Sequence, residues 1–159
     1  MSTRHLNAPD RFRRKPYTAG DLRRIRRDCV AINLARAHRI VGRMYEDAFR
    51  EVGVTAPQFA LLVSLYIQPN SSASELSHEL GSDPSTVSRN TELLIRRGLL
   101  SSRPCTEDRR IRRYCLSPAG ETLIQESVPQ WQYAQRQALH MIGRPAWDGM
   151  LHALRRLVS

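Results

Sequence analysis

Residues 107–120 read EDRRIRRYCLSPAG, and arginine fills four of the five positions from 109 to 113. A guanidinium keeps its charge at any physiological pH and presents a planar fork of N–H donors that fits phosphate oxygens and base edges. Arg109, Arg110, Arg112 and Arg113 are therefore candidates for holding a polyanion at the tip of a short loop. A second set stands upstream in SDPSTVSRNTELL. Ser85, Thr86, Ser88 and Asn90 are short hydrogen-bonding side chains, and Arg89 can grip guanine with two parallel hydrogen bonds. Catalytic signatures are missing: there is no GxSxG, P-loop, GxGxxG or HExxH, and the five histidines have no ligand spacing. Three cysteines without a CxxC argue against a disulfide framework and a structural zinc site. The expectation is a protein that binds rather than catalyses, without metal or cofactor.

Charge placement points the same way. The chain of 159 residues carries a formal net charge of +10, and 24 of its 25 basic residues are arginine. Residues 1–27 hold nine Lys/Arg against two Asp, and residues 85–113 hold eight Arg against three acids. Two basic blocks on a near-neutral body suit a nucleic acid. A hydrophobic fraction of 41% supports one domain with its own core. No apolar run approaches the roughly 18 residues of a membrane span. The first residues lack the apolar stretch of a secretory signal, so a cytoplasmic location is expected.

Periodicity supplies the elements that must position these residues. Residues 1–17, with Pro9, Pro16 and many charges, are expected to form a basic, loosely held arm. Val30, Leu34, Ala37, Ile40, Val41, Met44, Ala48, Phe49 and Val52 fall at three- and four-residue steps, which predicts one long helix over 21–52 ended by Gly53. Thr55 with Gln58 and Ser72 with Glu75 read as capping boxes opening the next two helices. Asp83 and Pro84 open another, ended by Gly98, with Val87, Leu93 and Leu94 toward the core. Alternation over 99–103 and 111–116 predicts a hairpin with a charged tip. Ser117-Pro118 starts a helix expected to kink or break at Pro129, and Gly143-Arg144-Pro145 starts the last one. The fold class is mainly α with a small β-hairpin wing, a winged helix-turn-helix with helices on either side.

In this order, VTAPQFALLVSL, SASELSHELGSDPSTVSRNTELLIRRGLL and EDRRIRRYCLSPAG resemble the MarR family of bacterial transcription regulators, over about residues 29–125. The family's wing motif reads here as Asp108-Arg109-Arg110 and Leu116-Ser117-Pro118-Ala119-Gly120, with Ser in place of the usual Thr. The resemblance implies a homodimer on double-stranded DNA. In it Ser85, Thr86, Ser88, Arg89 and Asn90 face the major groove, and Arg110, steadied by Asp108, enters the minor groove. Arg109, Arg112 and Arg113 contact phosphate or stay solvated. The implied organisation is an arm over 1–17, a dimerisation helix region over 18–54, a DNA-binding lobe over 55–117, and further dimerisation helices over 118–159. Trp131, Trp147, Met150, Leu151, Leu154 and Leu157 are interface candidates.

Similar proteins respond to small aromatic or phenolic acids, for which His38, Arg39, Tyr45, Tyr66 and Trp131 are the candidate lining here. A hydroperoxide-sensing branch carries a reactive cysteine near the start of its first helix. Cys29 falls short of that position, while Tyr45 matches one of the branch's tyrosines. Three readings stay open beside a ligand-released repressor: thiol sensing through Cys29, architectural binding without sequence preference, and RNA binding. The last is disfavoured because A-form grooves do not admit a recognition helix.

The arm makes a measurable prediction. Deleting residues 1–17 removes Arg4, Arg11, Arg13, Arg14 and Lys15. The slope of log affinity against log salt should fall in magnitude by about 0.9 for each phosphate the shortened chain no longer neutralises. Specific and non-specific binding should weaken together; an identical slope would take the arm off the DNA.

Overall fold

The computed structural model describes residues 17–158, so the expected arm lies outside the described residues except for Tyr17. Two compact units divide the chain, with the boundary between Arg39 and Ile40. In the first, Thr18 opens helix α1 (Ala19–Asp28): its hydroxyl accepts from the Asp21 amide, and the Asp21 carboxylate accepts from the Thr18 amide at 3.0 Å. Helix α2 (Val30–Phe49) follows after a break. The single helix expected over 21–52 is therefore two, because Cys29 takes an extended conformation with ψ 117°. Asn33 accounts for the break: its side-chain amide donates to the carbonyls of Arg27 and Cys29, each at 2.9 Å. A short polar side chain thus bridges the break, reaching the Arg27 carbonyl and the Cys29 carbonyl that also accepts from the Asn33 amide.

The second unit is built around a sequence of caps. A 3-10 turn (Arg50–Val52) ends at Gly53, whose φ of 66° belongs to the left-handed region that glycine adopts without strain. Thr55 and Gln58 close a capping box on α3 (Ala56–Ile67), and Glu46 accepts from the Ala56 amide at 3.0 Å. Strand β1 (Ser71–Ser72) leads directly into α4 (Ala73–Leu80), which Ser72 and Glu75 cap as expected. A turn through Gly81 reaches α5 (Pro84–Arg96), where the Asp83 carboxylate accepts from the Ser85 amide at 2.7 Å. Strands β2 (Leu100–Pro104) and β3 (Arg112–Leu116) form the hairpin. The sheet has three antiparallel strands in the order β1-β3-β2. The third strand, β1, was not expected: two residues that also cap a helix show no alternation.

Helix α6 (Pro118–Ile142) runs through Pro129 without the expected break, and α7 (Arg144–Val158) follows. Proline removes one ladder bond, but Pro129 is exposed while Leu123, Ser127, Ala134 and Ala138 are buried along the packed face. Burial on that face outweighs the single missing donor. The core gathers Phe49, Leu61, Leu62, Leu65, Leu76, Val87, Leu94 and Leu123, with Tyr114 from the sheet. Leu93, expected inside, is exposed; the inward position belongs to Thr91, whose hydroxyl donates to the Val87 and Ser88 carbonyls.

Gly120 has the tightest surroundings among the described glycines. A Cβ there would lie 2.2 Å from the Leu99 carbonyl oxygen, which already accepts from the Ser117 amide at 3.1 Å. Gly120→Ala should therefore destabilise the fold by about 1–3 kcal/mol or more, read as a lowered Tm.

Candidate nucleic-acid interface

Helix α5 begins with Asp83 and Pro84 and then presents its polar residues. Ser85 and Arg89 are exposed, and Thr86, Ser88 and Asn90 are half-buried. Arg89 donates to the Thr86 hydroxyl at 3.2 Å, and the Asn90 side chain donates to the Thr86 carbonyl at 3.0 Å. Ser85 donates to Asp83. Val87, Thr91 and Leu94 lock the opposite face into the core. The helix thus offers one donor-rich end on a rigid mount, which is what base recognition needs.

At the wing tip the Arg110 guanidinium is gripped by Asp108. Its Nε lies 3.0 Å from Oδ1 and its Nη2 2.9 Å from Oδ2, and the Arg110 amide also donates to Oδ1. The Arg110 side chain remains 91% exposed. The grip lowers the Asp108 pKa and raises that of Arg110, chiefly through this side-chain pairing. So exposed an ion pair contributes little to stability. What it does is limit the directions in which a long cation can point. Arg109 is exposed, and Arg112 donates to the Ser102 hydroxyl across the hairpin.

Arg113 behaves otherwise. Its side chain is 25% exposed, and Nη1 donates to Glu75 Oε2 at 2.6 Å and to the Asn70 carbonyl at 3.3 Å. Across the hairpin its register partner Arg103 donates to the Asn70 side chain. Asn70, at φ 66°, is the non-glycine residue with positive φ among those described. Sequence reading missed Asn70, Glu75 and Arg103 as a group, since their meeting depends on the β1–β3 pairing. The Cys105 thiol, at the base of the tip, is held below its ordinary pKa by the amides of Asp108 and Glu107 and by Arg113.

The proposed pocket residues are spread more widely. Tyr45 donates to the Gln135 side chain on α6, and burial raises its pKa. Tyr66 and Trp131 are exposed, and His38 and Arg39 belong to the first unit. Cys29 is half-buried at the α1–α2 break and lines a shallow cleft with Tyr17, Asp21, Arg24, Ile25 and Asp28. Among the described residues no helix is long and apolar enough to cross a membrane.

A helix pair whose second member exposes a polar start, followed by a hairpin that completes a three-stranded sheet and carries a cationic tip, defines a winged helix-turn-helix protein. Residues 54–111 match the MarR family model, which identifies that stretch as a MarR-family domain. MosR of M. tuberculosis, solved in complex with DNA, is 29% identical with a TM-score of 0.73, over 82% of this chain and 94% of that one. BpsR of Bordetella bronchiseptica, whose DNA binding is regulated by 6-hydroxynicotinic acid, is 25% identical with a TM-score of 0.75, over 82% and 98%. A mutant MarR of E. coli complexed with operator DNA shares the fold at 15% identity, with a TM-score of 0.76 over 86% and 98%.

Glu75 yields a prediction of its own. The Ser72 amide, the Ser72 hydroxyl and then Arg113 hold its carboxyl down to about 2, from 4.5. A depressed acid stabilises the fold above its unfolded pKa, and the contribution fades as pH falls from about 4.5 through about 2. Melts of wild type and Glu75→Gln should therefore differ at neutral pH and converge across that window.

Proposed function

We propose that two copies of the chain form a dimeric repressor on a palindromic operator. Each lays the start of α5 in the major groove and the wing tip in the neighbouring minor groove. The observation that carries this is the Asp108–Arg110 grip at an exposed tip. Arginine suits a narrow A·T-rich minor groove, where the negative potential is strongest, and an arginine held in one direction gives up less freedom on entering. Ser85, Thr86, Ser88, Arg89 and Asn90 carry base contact, while Arg109 and Arg112 stay available for phosphate.

Uncovered apolar residues support the dimer. Val30 and Ile32 stand exposed on α2, and Met150 and Leu157 on α7. A two-fold pair would set recognition helices about 34–36 Å apart, the spacing of successive major grooves on one side of the duplex. Regulation by a small aromatic acid follows by analogy with BpsR, the relative whose DNA binding responds to 6-hydroxynicotinic acid. A protein acting on DNA in this way works in the cytoplasm.

Arg110→Ala should weaken binding to an operator selected from random duplexes by about 1–3 kcal/mol, with Tm and sedimentation behaviour unchanged. Arg89→Ala should instead relax preference at particular major-groove positions. Unchanged affinity for the first, or an unchanged consensus for the second, would remove the corresponding residue from the proposed interface.

A further inference from the structure

Four arginines share the wing's last stretch, and one of them differs physically from the rest. Arg109, Arg110 and Arg112 are exposed, whereas Arg113 turns back onto the helix-turn-helix. Its strand position explains this: β3 pairs with β1 so that Arg113 stands opposite Ser72, and Glu75 lies one helical turn beyond Ser72. One carboxylate oxygen, Glu75 Oε2, accepts both the Ser72 amide at 2.6 Å and Arg113 at 2.6 Å. The atom that closes the first turn of α4 is thus the atom that holds the wing strand.

We propose that Arg113 and Glu75 are positioning residues that couple the wing's direction to the helix-turn-helix, so that Arg110 and the start of α5 address adjacent grooves in a fixed geometry. Arg113 then contributes to operator preference without touching DNA. Arg103, donating to Asn70 from the opposite hairpin strand, braces the same junction. Hydrophobic burial sets the fold of the lobe, while this pair sets the angle at which the wing projects from it. The inference rests on the minor-groove reading of Arg110 given above.

The alternative role for Arg113 is a phosphate contact, and the two predict different signs. Removing Glu75's charge would take a negative group away from the DNA, so under phosphate contact Glu75→Gln tightens binding while Arg113→Gln weakens it. Under positioning, both weaken it. Glu75→Gln is a clean probe because glutamine can still close the capping box, as Gln58 does on α3. The experiment measures affinity and base preference for the operator selected by the wild-type protein, using Glu75→Gln, Arg113→Gln, the double variant and Arg110→Ala. The expected result is a loss of about two- to fivefold for each single variant, the fold-change that an exposed ion pair carries. The double variant should be no weaker than either single one. Preference should flatten at the positions that Arg110→Ala flattens. A Glu75→Gln protein that binds more tightly, or single variants that both bind as wild type, would overturn the proposal. Should Arg110→Ala itself bind normally, the minor-groove reading fails first and the coupling loses its object. If Arg113→Gln does not fold, Glu75→Gln alone still decides by the sign of its effect.

Discussion

Ser72 belongs to two elements at once, and the arrangement of the winged helix-turn-helix depends on it. Its backbone pairs with Arg113 as the last residue of β1, and its hydroxyl accepts from the Glu75 amide as the cap of α4. A strand two residues long has too few ladder bonds to persist alone. Here the helix it caps and the hairpin it joins hold it from both ends. The consequence is geometric: α4 and the sheet that carries the wing meet at Ser72 with no loop between them.

Magnitudes separate what folds this unit from what orients it. Each fully buried leucine, such as Leu61, Leu62 or Leu94, contributes about 1.5–3 kcal/mol, while an exposed ion pair contributes less than about 1 kcal/mol. The Asp108–Arg110 and Glu75–Arg113 pairs therefore do not make the fold. Direction is their province, because a guanidinium bound in a fork has few orientations left. The close approach of Gly120 to the Leu99 carbonyl plays a comparable part at the other end of the hairpin. It brings the start of α6 against the residue that precedes β2, so the hairpin leaves and rejoins the helices at one place.

Much of this was legible in the sequence, for physical reasons that differ by element. Caps read well because they are local: Thr55 with Gln58, Ser72 with Glu75, Asp83 and Ser117 need only neighbours three or fewer residues away. Long helices read less well where one residue overrides the period, as Asn33 does by holding the carbonyls at the Cys29 break. The break expected at Pro129 does not occur, since packing along α6 outweighs one missing donor. Leu93 lies off the stripe of Val87, Thr91 and Leu94, and Thr91 can occupy that stripe because its hydroxyl satisfies itself on the preceding turn.

Site chemistry followed the same rule of distance. The Asp108–Arg110 grip spans two residues and follows from the motif, but the tie from Arg113 to Glu75 spans 38 residues and needs the sheet order before it can be seen. An arginine cluster read from sequence is four equivalent cations. In the folded protein each has a different neighbour: Asp108 takes Arg110, Ser102 takes Arg112, Glu75 takes Arg113, and Arg109 stands exposed. The density of arginine at this wing is thus divided among different settings: Arg110 and Arg113 each meet a carboxylate, one at the exposed tip and one at the helix-turn-helix, while Arg109 and Arg112 meet none among the described residues. Net charge counts them alike; only the strand register tells them apart.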